Sequence, residues 1–112
     1  MKRAILLGVA AILLAQPAAA KDTRFWNLTS STVKSLELAP TGTSAFGANQ
    51  TANDPDGDVD HDERLKVTGV KSGAYDARVK LADGRLCMAK GVQIEAGKVF
   101  AIEDKELVGC SH

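Results

Sequence analysis

Eleven consecutive residues, Asn53-Asp54-Pro55-Asp56-Gly57-Asp58-Val59-Asp60-His61-Asp62-Glu63, set oxygen-bearing side chains on nearly every second position around a glycine. A hard cation such as Ca²⁺ takes about six to eight oxygens from closely spaced carboxylates, amides and carbonyls, and a glycine lets the chain curl around it. With Gly57 at the sixth position of a calcium loop, Asp54 falls third, Asp56 fifth, Asp58 seventh, Asp60 ninth and Glu63 twelfth, with Val59 at the apolar eighth. The first position falls on Ala52, which has no side-chain oxygen, although Asn53 stands beside it. Residues 43–52 are a poor helix and the chain from Arg64 onward reads as strand, so a complete helix-loop-helix site is not expected. Asp54, Asp56, Asp58, Asp60 and Glu63 are therefore candidate ligands for Ca²⁺ or another hard cation. The competing reading is an acidic loop that is only solvated.

Other chemistries find less material. Two imidazoles, His61 and His112, cannot build a transition-metal site without further nitrogen or sulfur ligands at fixed spacing. No Gly-x-Ser-x-Gly elbow and no phosphate-binding Gly-rich loop ending in Lys-Ser or Lys-Thr occurs. Solvated loop carboxylates lack the burial that separates the pKa values of an acid/base pair, so no catalytic residues are assigned and no enzyme is expected. Asn27-Leu28-Thr29 and Asn49-Gln50-Thr51 fit the glycosylation pattern, which matters only in a eukaryotic secretory route. Strand alternation allows one of Phe25 and Trp26 to face inward, and the reading here puts Trp26 in the core with Phe25 partly exposed.

The N-terminus sets the compartment. Met1, Lys2 and Arg3 precede an apolar run over residues 4–14, and Ala18-Ala19-Ala20 closes the segment with small residues. Residues 1–20 thus read as a secretory signal peptide. Eleven apolar residues cover roughly 16 Å as a helix against about 30 Å of hydrocarbon, so no membrane span is expected after cleavage. Cleavage of 20 residues from 112 leaves 92, and the loss of Lys2 and Arg3 takes the bases from 14 to 12 against 14 acids. A near-neutral chain of this kind is no nucleic-acid binder by bulk charge. Six of those acids fall within residues 54–63, which contain no Lys or Arg.

Export changes the meaning of Cys87 and Cys110, which are the only two cysteines and have each other as the sole intramolecular partner. Closing that loop is worth about 3.5 kcal/mol by chain-entropy reasoning, a large share for a small domain. Short strand signals recur along the mature chain at 24–28, 33–38, 65–68, 74–81, 85–89, 92–94 and 99–102. Thr29-Ser30-Ser31 is expected to turn the first pair into a hairpin. Asp83-Gly84 should supply a two-residue hairpin with positive φ at both residues, and Glu95-Ala96-Gly97-Lys98 a further one. The long segment 40–63 is mostly loop, with Phe46 expected to pin its middle to the core. Outside the leader no 3.6-residue apolar period persists. The fold class is all-β: a small antiparallel β-sandwich or partly open barrel of about six or seven strands, clasped by one disulfide. Its core is expected from Trp26, Leu28, Leu36, Leu38, Leu65, Val67, Tyr75, Ala77, Val79, Leu81, Leu86, Val92, Ile94, Phe100 and Ile102.

Phe25-Trp26-Asn27-Leu28-Thr29, the run 67–79 with its Gly73-Ala74-Tyr75-Asp76 motif, Asp83-Gly84-Arg85-Leu86-Cys87 and the stretch 104–110 resemble a group of short exported bacterial β proteins, mostly uncharacterised, with two cysteines in the C-terminal half. The resemblance implies a periplasmic or secreted β-domain and adds no activity. Asp54-Pro55-Asp56 is also similar to the loops of the lanthanide-binding lanmodulins, with a shortened spacing and a single loop. The expected role is a non-enzymatic β-domain that presents its acidic loop to a protein or envelope component. Calcium binding through that loop is the alternative, and inhibition of a secreted hydrolase with a basic surface is a third.

Overall fold

A computed structural model describes residues 21–112. The signal peptide expected over residues 1–20 lies outside the described residues. Seven strands follow in order: β1 (Thr23–Leu28), β2 (Val33–Pro40), β3 (Arg64–Val67), β4 (Gly73–Leu81), β5 (Leu86–Ile94), β6 (Val99–Glu103) and β7 (Val108–Ser111). They form a three-stranded sheet, β3-β1-β6, and a four-stranded sheet, β2-β4-β5-β7. The all-β architecture, the seven strands and the Cys87–Cys110 disulfide agree with the sequence reading.

Two expected hairpins are instead passages between sheets. β1 and β2 belong to different sheets, because residues 29–32 bend the chain across rather than back. The bend is shaped by Asn27, whose Oδ1 accepts from the amide and hydroxyl of Thr29 at 3.0 and 2.7 Å. The Asn27 amide group donates to the Ser31 carbonyl, and the Thr29 hydroxyl oxygen accepts from Ser31 N. Local polar side chains that bond the nearby backbone favour such bends over a ladder. Likewise residues 95–98 carry the chain from β5 to β6. Gly97 N donates to Thr23 Oγ1 and Arg24 N to the Lys98 carbonyl, which lays β6 alongside β1 in parallel, the one departure from an antiparallel fold.

The β4–β5 hairpin exists but turns differently. Only Gly84 has positive φ, +93°, and its amide donates to the Leu81 carbonyl while Leu81 N donates to Arg85 O. That is a three-residue loop closed by a glycine bulge. The segments expected at 85–89 and 92–94 are one strand, bent where its pairing with β4 slips between Tyr75 and Ala77.

The core lies between the sheets and gathers Phe25, Val33, Leu36, Leu38, Val59, Leu65, Val67, Ala77, Val79, Leu81, Cys87, Ala89, Val92, Ile94, Phe100 and Ile102. Phe25 is fully buried and its ring lies 5.7 Å from that of Phe100. Trp26 and Leu28 are half-buried on the other face of β1, so the expected inward face of this strand is reversed. Trp26 has reason to face out. Arg64, its partner across β3, lays its guanidinium 4.3 Å from the ring centre, and the indole N–H donates to Asp62 Oδ1 at 2.9 Å. Leu86 is also outside the core, 42% exposed, because β5 turns Cys87 and Ala89 inward. Tyr75 packs against the core from its margin.

Candidate functional site

The segment 41–63 is the feature that needs explaining. It follows the open edge of β2 and occupies that edge's backbone groups one after another. Val33 and Val59 exchange both amide hydrogen bonds at 2.9 Å, the Lys34 carbonyl accepts from Thr51 Oγ1, Leu36 N donates to Asn49 Oδ1, and the Leu38 carbonyl accepts from Gly47 N. An uncovered edge strand is a template for unwanted pairing, and this cover removes it. A 3-10 helix, Gln50–Asn53, forms the middle of the cover. Its Gln50 side chain behaves as a backbone unit: Nε2 donates to the Thr68 carbonyl and Oε1 accepts from the Thr68 amide, both at 3.0 Å. Asn53 Nδ2 donates to the Lys66 carbonyl. The helix therefore ties β2 in one sheet to β3 and its exit in the other. Phe46 is not the pin expected from sequence. It is half-buried on the surface beneath the Arg78 guanidinium, 4.1 Å from its ring centre, and the buried anchors are Gln50, Thr51 and Val59.

The acidic run continues from this cover, and the structure spreads its carboxylates along it. Asp54 Oδ2 accepts from Asp56 N at 2.8 Å. Asp58 pairs with Lys34 Nζ at 2.6 Å. Asp60 Oδ1 accepts from Thr32 Oγ1, and Glu63 Oε1 accepts from Asp60 N, each at 2.8 Å. Asp56 stands exposed. Asp62 takes the Trp26 indole and adopts φ +72°, the single non-glycine residue in that region among those described. His61 Nδ1 lies 2.7 Å from the Thr29 carbonyl, so that nitrogen carries the hydrogen. Among the described residues no group of three or more His, Cys, Asp or Glu side chains is gathered around a common point where a cation could sit.

Beside the cover an open cleft of about 530 Å³ runs between residues 45–53 and the β3–β4 connection. Leu38, Pro40, Val70 and Tyr75 supply its apolar wall, and no charged side chain lines it. Both ends of the Gln50 amide, Asn49 Oδ1 and Asn53 Nδ2 are committed to the bonds given above, and the Tyr75 hydroxyl donates to the Lys71 carbonyl at 2.7 Å. No helix among the described residues is long and apolar enough to cross a membrane.

No family model, curated protein or solved structure matches the chain.

Three polar residues that sequence reasoning passed over hold the site in place. Asn27 is fully buried. Besides its bonds in the 29–31 bend, its Nδ2 donates to the Val59 carbonyl at 2.8 Å, and its backbone exchanges bonds with Asp62 N and Glu63 O. Gln50 is the second. Asp76 is the third: its carboxylate accepts from Gly42 N at 3.3 Å and Gly91 N at 3.1 Å, joining the start of the loop to the bend in β5. The Asn-x-Thr repeat was the available signal, since Asn49 Oδ1 accepts from Thr51 N as Asn27 Oδ1 does from Thr29 N. Both patterns serve the backbone here.

A further tie joins the C-terminal part to the same end of the sandwich. Ser30 N donates to Asp104 Oδ1 at 2.9 Å, and this bond holds the Asp104 carboxyl below the ordinary aspartate value. A folded-state pKa below the unfolded one contributes stability above the unfolded value of about 4 and loses it as pH falls through the folded value. Asp104→Asn is expected to make the acid limb of the stability curve shallower, read from urea midpoints between about pH 2 and pH 6. An acid limb of unchanged slope would show that the Ser30 bond carries no linkage.

Proposed function

We propose that this chain is an exported, non-enzymatic β-sandwich whose 40–63 segment is a recognition surface for a cationic protein or envelope component. The observation that carries the reading is the anchoring of a charged segment. Covering the β2 edge requires backbone and amide contacts from residues 47–59, but it does not require six carboxylates in residues 54–63. Among the described residues Lys34 is the one Lys or Arg within ion-pair distance of them. A segment fixed before contact loses little freedom on binding, and a field of one sign draws an oppositely charged partner and sets its orientation. The disulfide supports an oxidising compartment.

The test keeps the loop's geometry and removes four of its six acidic charges. Asp54→Asn, Asp56→Asn, Asp60→Asn and Asp62→Asn together retain an acceptor oxygen at each position. Wild type is expected to retain a defined species from envelope extract that the fourfold variant and high salt both release. Capture of the same species by both proteins refutes the charge-based reading. Running both arms in Ca²⁺ and in EDTA addresses the calcium alternative, since a cation bound by the native state raises the melting midpoint by mass action. Calcium would have to displace the hydrogen bonds now made by Asp54, Asp60 and Glu63.

A further inference from the structure

The Cys87–Cys110 bond joins residues in opposite environments. Cys87 is fully buried and belongs to the core, whereas Cys110 and the rest of β7 are exposed. β7 meets β5 at two register positions, Leu86 with Ser111 and Met88 with Val108, and the ladder slips between them. Gly109 interrupts the strand with φ +59°. No residue of β7 is in the core, and Val108 is 47% exposed. Just upstream the chain is held independently of sulfur. Asp104 binds the Ser30 amide, Glu106 Oε1 accepts from Glu103 N at 2.8 Å, and Leu107 packs against the core.

We propose that this disulfide is a thiol-controlled clasp: a dithiol reductant releases residues 108–112 from the edge of the four-stranded sheet while strands β1–β6 stay folded. Cys110 is the exposed residue of the pair, and its sulfur is where a reductant thiolate attacks. The new sulfur–sulfur bond forms there, the Cys87–Cys110 bond breaks, and the Cys87 thiolate leaves and takes a proton. The reductant's second thiol then attacks its own mixed-disulfide sulfur, and the Cys110 thiolate leaves and is protonated. Two electrons and two protons pass to the protein, and the reductant ends as a disulfide. The few exposed contacts of β7 cannot hold it once the covalent link is gone, because local opening follows the scarcity of buried contacts. Release uncovers the β5 edge, a row of free amides and carbonyls that β7 had covered.

Hydrogen exchange on the full chain, oxidised and after dithiothreitol, tests this directly. Protection is expected to vanish at residues 108–112 and at the β7-facing amides of Leu86 and Met88, and to persist in β1 and β4. Cys110→Ser should give the same map without reductant. After reduction, iodoacetamide should alkylate Cys110 at least about tenfold faster than the core-facing Cys87. Loss of protection throughout β1–β6 overturns the clasp in favour of a staple for the whole fold. Retained protection at 108–112, or equal alkylation of the two thiols, overturns it as well.

Discussion

Asn27→Ala is expected to lower the unfolding free energy by about 3–5 kcal/mol, enough to leave a domain of this size barely folded at room temperature. The side chain is fully buried and satisfied on both ends: Oδ1 accepts twice from Thr29, and Nδ2 donates to Ser31 O and Val59 O. Alanine would strand the buried Thr29 amide and take one of two donors from the Val59 carbonyl, which keeps Val33 N, while the Thr29 hydroxyl can turn to the Ser31 carbonyl at 2.9 Å; each lost bond costs about 1–3 kcal/mol with incomplete additivity. Urea titration measures the effect, and Asn27→Asp serves as a companion. Aspartate keeps the acceptor to Thr29 but turns a carboxylate oxygen toward two carbonyls, so it should be destabilised as well. A loss under about 1 kcal/mol for Asn27→Ala would mean that Asn27 is not the hub joining β1 to the acidic segment.

Phe25→Ala should cost about 3–5 kcal/mol, whereas the larger Trp26 should cost only about 1–2 kcal/mol when cut to alanine. The inequality follows from which face of β1 is inward. Phe25 fills the space between Leu65 and Phe100 in neighbouring strands, and its removal leaves a cavity. Trp26 loses a stacked guanidinium and an indole hydrogen bond at the surface, where water takes over much of both. Chemical denaturation of the two variants side by side decides it. Equal losses would place both aromatic rings in the core and contradict the reversal of this strand.

That reversal marks how far the chain was legible. Strand β3 alternates cleanly with Leu65 and Val67 inward, and β4 does so from Ala77 through Val79 to Leu81, whereas Asp76, which the pattern sets on the outer face, is buried beside the bulge. In β1 the inward residues are Thr23, Phe25 and Asn27, two of them polar, so the apolar pattern points to the wrong side. Burial there is made possible by partners far along the sequence, such as Val59 for Asn27 and Gly97 for Thr23. Such partners leave no local signature. The two sheet-crossing bends suffer from the same limit, since a polar turn between two short strands looks alike whether it reverses or crosses. The acidic run was conspicuous because of its charge, yet its anchoring depends on Thr32, Lys34 and Trp26, which carry no metal-binding or catalytic signature. Candidate ligands chosen by spacing assume a chain curled on itself. Val59, bonded to Val33 in the core, holds this chain against β2 instead.

The cover on β2 also bears on the order in which the molecule assembles. Val33 finds Val59 and Leu36 finds Asn49 within a short stretch of chain, so little entropy is lost in bringing them together. Arg24, by contrast, must find Val99 across most of the described sequence. Loop-closure entropy favours the shorter-range contacts first, so the vulnerable edge is expected to be shielded before the parallel β1–β6 pair forms. A folding chain would thus guard its own aggregation-prone strand while still waiting for its far end.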